Sequence, residues 1–175
     1  MKKEPINMAC ARLYVTTERI YASGDLFGRW MQLCGYAGKK AFMAAFRKLY
    51  TGEEAPVLKI LDWQDVPCCL VSAGDVSARV FPLSRYASGL DSFRSGAFHL
   101  WLEYHSPGIF TSRSAAIIRL FEESYQGYYP TDEAFGRYYA REFLAITAPG
   151  FDYKGFAVQL FPRRFMRIGQ YVFSR

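Results

Sequence analysis

The chain has 175 residues, a length that suits one sizeable core or two or three small units. Its 51% apolar and 22% charged residues are typical of a folded protein and exclude the disordered, fibrous and low-complexity classes. Lys and Arg number 22 against 16 Asp and Glu, which gives a formal charge of +6. This balance permits contact with nucleic acid or an acidic protein, but it lacks the dense basic stripe of a dedicated DNA binder.

The sequence predicts a soluble, cytoplasmic protein. No apolar run approaches the ~20 residues needed to span a bilayer. Residues 1–5 are partly basic but precede no apolar stretch, so they do not form a secretory signal. Four cysteines fit the cytoplasm as reduced thiols and form no zinc-binding spacing with His99 or His105: Cys10, Cys34, Cys68 and Cys69.

The first third of the chain is predicted to form a small sheet with one helix. Residues 12–17 and 19–21 are rich in β-branched and aromatic side chains, as is typical of strands. Residues 26–33 follow a Ser-Gly-Asp turn and are also predicted to be extended. Phe42, Ala45, Phe46 and Leu49 recur at helical spacing, and residues 57–63 form a further strand pattern. We expect this unit to cover residues 1–66.

Residues 67–108 are broken by prolines and by a Ser-Gly pair, and their short apolar patches favour a middle unit of short helices. A third unit, residues 109–175, is predicted to hold three helices and a hairpin. Ser112 is the expected cap of a helix that reaches Tyr125 and ends at the Gln-Gly pair. Thr131 and Asp152 mark two further helix starts, and residues 165–173 form two strands around a Gly turn. The fold class is therefore α+β.

No pattern of an enzyme is present. The sequence lacks a phosphate-binding G-x-x-x-x-G-K-[ST] loop, a G-x-S-x-G elbow and a G-x-G-x-x-G turn. His99 and His105 flank Glu103 but do not form an H-E-x-x-H metal helix. We therefore expect a protein without catalytic residues, cofactor or metal.

Six segments, in order along the chain, resemble the ArdA family of antirestriction proteins. They are FGRW at 27–30, DWQDVP at 62–67, FEESYQGYY at 121–129, DEAF at 132–135, FDYKGFAVQLF at 151–161 and QYVFSR at 170–175. The resemblance implies an elongated three-part architecture and a curved homodimer formed through the C-terminal unit. It also implies a non-enzymatic function, in which the protein imitates bent DNA, binds a type I restriction–modification complex and shields a mobile element.

The carboxylates expected to act as phosphate mimics are Asp62, Asp65, Glu122, Glu123, Asp132, Glu133 and Glu142. Duplex DNA carries one negative charge per ~1.7 Å of axis, so a mimic needs rows of carboxylates and a negative total charge. This chain is instead +6. The alternative interpretation is that the carboxylates are helix-end and solvent-face charges that pair with Arg119, Arg137 and Arg141 within helical reach.

The resemblance places the dimer contact at Tyr125, Gln126, Gly127, Tyr128 and Tyr129. Tyrosine suits an interface because it has an apolar body and a polar tip, although a tight turn packed within one chain is the alternative. Arg163, Arg164 and Arg167, interleaved with aromatic residues, could instead hold single-stranded nucleic acid, or could compensate a helix dipole. A second functional hypothesis follows, in which an ArdA-like scaffold binds nucleic acid or an acidic partner directly.

Overall fold

The computed structural model describes residues 6–175. The N-terminal segment of residues 1–5, on which the prediction about a secretory signal partly depends, lies outside the described residues. The chain contains helices and antiparallel sheets and is of the α+β class, as predicted. The described chain divides into two compact units, residues 6–118 and 119–175, with the boundary inside one helix. The predicted boundaries near residues 66 and 108 stay predictions.

In the first unit a three-stranded antiparallel sheet is formed in the order β2-β1-β3. Tyr14 at its centre lies opposite Trp30 on one side and Asp62 on the other. A two-stranded β4-β5 ribbon and four helices accompany the sheet. The elements are β1 (Arg12–Thr17), α1 (Glu18–Ala22), β2 (Arg29–Gln32), α2 (Lys39–Leu49), β3 (Leu58–Gln64), β4 (Val71–Ser72), β5 (Asp75–Val76), α3 (Val80–Ser88) and α4 (Ser92–His105).

The core of this unit joins the sheet to the helices. Leu13 and Val15 of β1 are fully buried, as are Phe42 and Phe46 on the predicted inner face of α2. The Phe42 ring lies 5.5 Å from that of Phe81 in α3. Four 3-10 turns complete the unit: Met8–Cys10, Leu33–Gly35, Cys68–Leu70 and Gly108–Thr111.

The second unit contains a three-stranded antiparallel sheet in the order β6-β8-β7. Its core includes Phe135, Ala157, Phe165 and Val172. Gly136 lets two helices approach closely, because a Cβ at this position would lie 2.0 Å from the carbonyl oxygen of Tyr153. The elements are α5 (Ser114–Ser124), which begins in the first unit, β6 (Tyr125–Tyr128), α6 (Asp132–Leu144), α7 (Tyr153–Leu160), β7 (Phe165–Ile168) and β8 (Tyr171–Ser174).

Three local predictions were wrong. Residues 19–21 are not extended: the Thr17 hydroxyl accepts a hydrogen bond from the Ile20 N–H and caps α1. The helix expected to start after Ser112 begins at Ser114. It ends at Ser124, before the Gln-Gly pair, because Gly127 belongs to strand β6, where its φ of +132° accompanies a shift in register against β8.

Candidate functional site

Strand β6 carries four of the five residues of the predicted dimer contact and lies at the edge of its sheet. Within the described residues it pairs with β8 alone, so it is an edge strand with no strand on its other side. Tyr128 is 37% exposed on this strand, and its hydroxyl donates a hydrogen bond to Gln170 Oε1 at 2.8 Å. An open strand edge next to a partly exposed tyrosine can pair with another strand.

The other tyrosines of this segment are used within the unit. The Tyr125 ring stacks on Phe121 at 5.5 Å, and the Tyr129 hydroxyl donates to the Gln126 carbonyl oxygen at 3.2 Å. Burial raises the pKa of Tyr129, and its neighbour Tyr138 raises it further. Gly127 gives the room for this arrangement, because a Cβ there would lie 3.1 Å from the Tyr129 ring. The segment therefore combines a packed interior with a strand edge that has no partner strand among the described residues, although the Gln126 carbonyl oxygen is already bonded to Tyr129.

One predicted phosphate mimic, Asp132, is part of the unit's internal structure. Arg167 Nη1 donates to Asp132 Oδ1 at 2.7 Å, and both side chains are largely covered, with 33% of Asp132 and 21% of Arg167 exposed. The remaining guanidinium nitrogens donate to the Tyr129 and Gly169 carbonyl oxygens at 2.9 and 3.0 Å. Arg167 thus ties the start of α6 to strand β7 and to Tyr129, the residue that follows β6. Arg167, predicted as a nucleic-acid contact, is thereby engaged within the protein.

Three other carboxylates of this unit lie on the solvent side of helices, paired with arginines as the alternative interpretation expected. Glu133 contacts Arg137 at 2.8 Å and Glu123 contacts Arg119 at 3.8 Å, each one helical turn apart. Glu142 lies 3.8 Å from Arg141. Half or more of every side chain in these pairs is exposed. Glu122, on α5, is also exposed.

The two predicted mimics of the first unit lie at the end of β3. Asp62 is exposed and its carboxylate accepts a hydrogen bond from the Trp63 N–H at 2.8 Å. Asp65 has a φ of +58° and accepts from the Asn7 N–H at 2.9 Å. An aspartate tolerates this left-handed backbone conformation better than most residues. Asp62 thus faces solvent, whereas Asp65 turns the chain.

The remaining arginines of the alternative nucleic-acid site are exposed. Arg164 Nη1 donates to the Tyr139 hydroxyl at 3.3 Å, and Arg163 lies beside it in the loop after α7. Tyr139 also stacks on Phe143 with ring centroids 4.8 Å apart. Positive charge therefore lies next to aromatic side chains here. Arg167 does not belong to this exposed group.

The first unit contains a cavity of about 580 Å³ that no sequence pattern indicated. It is lined by the end of β3, the turn after it, the C-terminal half of α4 and the turn that follows α4. His99 lies in its wall, is only 6% exposed, and its Nε2 has no hydrogen-bond partner among residues 6–175. Burial lowers the pKa of His99 to about 4, against a smaller opposing effect of Asp65, so the imidazole is neutral at pH 7. In the sequence His99 is a single histidine within an apolar run, and no local pattern indicated that it would lie in the wall of a cavity.

Among residues 6–175 no helix is both long and apolar enough to cross a membrane. Within the same residues, no cluster of three or more His, Cys, Asp or Glu side chains could hold a metal ion. The four cysteines are free, and Cys68 and Cys69 line the cavity.

In comparisons with known proteins, neither a family model, nor a curated protein, nor a solved structure matches this chain.

Proposed function

We propose that this chain is an ArdA-like antirestriction protein, a non-enzymatic inhibitor that binds a type I restriction–modification complex as a homodimer. The observation that carries the proposal is the placement of the six ArdA-like segments, which contribute to distinct elements along both units. The segment at 121–129 supplies the end of α5 and the open-edged strand β6, and the segment at 151–161 supplies α7 and its cap.

The surface proposed to meet the restriction complex is the set of exposed carboxylates on α5 and α6. Their ion pairs with arginines oppose binding to the complex only weakly, because an exposed pair one helical turn apart contributes only ~0.3–0.5 kcal/mol to stability. Glu123 and Glu133 can therefore exchange Arg119 and Arg137 for cationic groups of a DNA-binding groove at little cost. Asp132 is left out of this surface, since its pairing with Arg167 is partly buried.

Dimer formation is proposed to use strand β6. Two copies of a short edge strand can pair through their backbone N–H and C=O groups, and an isologous contact of this kind closes into a two-fold dimer. Tyr128 would lie at such a contact because it is the exposed tyrosine of the strand.

The proposal is tested by plating unmodified phage on cells with an active type I restriction system, with and without the protein. We expect markedly more plaques when the protein is present. A Glu123→Gln/Glu133→Gln variant should lose much of this protection, whereas a Glu54→Gln/Asp75→Asn control, which removes the same charge from exposed positions of the first unit, should keep it. Unchanged plaque numbers with folded wild-type protein would refute the antirestriction function.

A gain-of-function variant tests the charge mechanism separately. Arg119→Gln/Arg137→Gln removes the arginine partners of Glu123 and Glu133 and should strengthen inhibition, because both carboxylates then meet the restriction complex unpaired. The control Arg47→Gln/Arg85→Gln removes the same net charge from exposed helical positions outside these pairs. If both variants behave alike, the effect is one of total charge and the named carboxylates do not form the surface.

A second candidate function is direct binding of nucleic acid, and it is favoured by the exposed Arg163 and Arg164 beside Tyr139. A protein that neutralises phosphates loses affinity as salt rises, with log K falling linearly against log salt. Fluorescence anisotropy of a single-stranded oligonucleotide between 50 and 200 mM salt, roughly the range over which such contacts weaken strongly, measures this slope. Arg163→Gln/Arg164→Gln should flatten the slope if the site is real, and no binding at the lowest salt would exclude this function.

A further inference from the structure

The cavity beside His99 has the form of a ligand site. At about 580 Å³ it lies within the range of pockets that hold small organic molecules. Much of its wall is apolar or aromatic, and includes Trp63, Leu102 and Phe110. All of the described lining residues belong to the first unit.

His99 supplies a polar atom that no described group satisfies. The side chain is 94% removed from solvent, since 6% of it remains exposed, and Nε2 has no hydrogen-bond partner. A buried polar atom without a partner costs ~1–3 kcal/mol. Because Nε2 itself is shielded from the cavity, a ligand there meets His99 as part of a flat, uncharged wall and not as a hydrogen-bond acceptor.

The charges of the lining residues determine whether the cavity favours a cationic or an anionic ligand. Asp65 and Glu103 both line the cavity, and none of the described lining residues is Lys or Arg. The neutral His99 adds no positive charge. The cavity is thus a locally acidic position in a chain whose formal charge is +6. Two carboxylates next to low-dielectric apolar walls favour a cation over an anion.

We propose that this cavity binds a small flat organic cation, of the aromatic amine or amidine type, whose N–H groups face the carboxylates of Asp65 and Glu103 while its ring contacts the apolar wall. The proposed occupant matches two observed properties of the cavity, its apolar surface and its negative charge. The proposal is independent of the inhibitory function and uses a different unit of the protein.

Benzamidine and benzoate are matched probes, because both are planar, of similar size and opposite in charge. We expect benzamidine to bind the full-length protein with a dissociation constant on the order of 1 mM, as suits a ligand of this size, and benzoate to bind at least about tenfold more weakly. Isothermal titration calorimetry measures both. Equal affinity for the two probes, or no detectable benzamidine binding, would overturn the proposal.

Two substitutions locate the bound probe. Asp65→Asn keeps a side chain that tolerates the positive φ and retains an oxygen for the Asn7 N–H, and Glu103→Gln changes an exposed helical residue. Each should weaken benzamidine binding at least about fivefold, whereas Glu142→Gln on α6 should leave it unchanged. Unchanged affinity in both cavity variants would place the probe elsewhere and refute the site.

Cysteine alkylation supplies an independent readout on the wild-type chain. Cys68 and Cys69 line the cavity, whereas Cys10 is also exposed but is not part of the lining. Saturating benzamidine should slow the reaction of iodoacetamide with Cys68 or Cys69, as followed by mass spectrometry, and leave the rate at Cys10 unchanged. Slowing at all three cysteines, or at none, would contradict binding in this cavity.

Discussion

Acidification from pH 7 to pH 4.5 is expected to destabilise the first unit mainly through one side chain, His99. Burial lowers the pKa of His99 to about 4 in the folded protein, whereas the ordinary value for a solvent-exposed histidine is 6.5. The folded state therefore binds this proton less tightly than the unfolded state does. The contribution of His99 to stability is complete above pH 6.5 and is lost as the pH falls toward 4.

The size of the effect follows from the two pKa values. The full difference corresponds to about 3 kcal/mol, and about 2 kcal/mol of it is lost between pH 7 and pH 4.5. A loss of this size is a large part of the stability of a small unit.

Urea unfolding followed by tryptophan fluorescence measures this loss in the first unit alone. All three tryptophans, Trp30, Trp63 and Trp101, lie in residues 6–118. A His99→Phe variant keeps an aromatic ring but cannot be protonated, so its stability should change by about 2 kcal/mol less than that of the wild type over this pH range. His105→Gln is the comparison on the same helix: burial also lowers the pKa of His105, but by less, so this variant should remove a smaller part of the loss. If wild type and His99→Phe lose stability equally, the cause assigned to His99 is refuted.

Two further predictions concern the second unit and can be measured by thermal unfolding monitored by circular dichroism. Gly136→Ala should destabilise this unit by about 3 kcal/mol, since the new Cβ would collide with the backbone oxygen of Tyr153, whereas Gly108→Ala, with open space around it, should be tolerated. Asp132→Asn should cost about 1–2 kcal/mol because its pair with an arginine is partly buried, and Glu133→Gln less than about 0.5 kcal/mol because its pair is exposed. Equal effects of the two substitutions would show that burial of the pair does not matter.

Elements with a regular apolar period and a capping residue could be predicted from the sequence. Thr131 accepts a hydrogen bond from the Ala134 N–H and Asp152 accepts one from the Gly155 N–H, as their positions before helical patterns indicated. The terminal hairpin turns at Gly169, whose φ is +60°. In these places a few neighbouring residues decide the structure, so local chemistry is sufficient.

Short elements could not be predicted, because few residues carry the signal. Helix α1 spans five residues of mixed propensity, and the Thr17 side chain that caps it belongs to the preceding strand. Strand β6 exists because it pairs with β8, more than forty residues later in the chain, a contact that no local pattern encodes. For segments this short, tertiary contacts can override the local propensity for either a helix or a strand.

The interactions at the candidate sites also divide into local ones, which the sequence predicts, and long-range ones, which it does not. The pair of Glu133 with Arg137 follows from helical spacing and was open to prediction. The pair of Asp132 with Arg167 joins residues 35 positions apart and was not. The cavity at His99 depends on how the end of β3 meets α4, which only the packed structure reveals.

The positive charge of the chain is compatible with the proposed scaffold, because charge and fold are carried by different residues. The buried positions of α6 are Phe135, Gly136 and Ala140, whereas Arg137 and Arg141 point to solvent. Arg137 even adds a contact of its own, with its guanidinium 4.6 Å from the centre of the Tyr153 ring. Exposed charges of either sign alter stability by only a few tenths of a kcal/mol, so the same packing accommodates an acidic or a basic surface. What changes with the sign is the partner that the surface attracts, and for that reason the arginine-to-glutamine variants test the function more directly than any measurement of the fold.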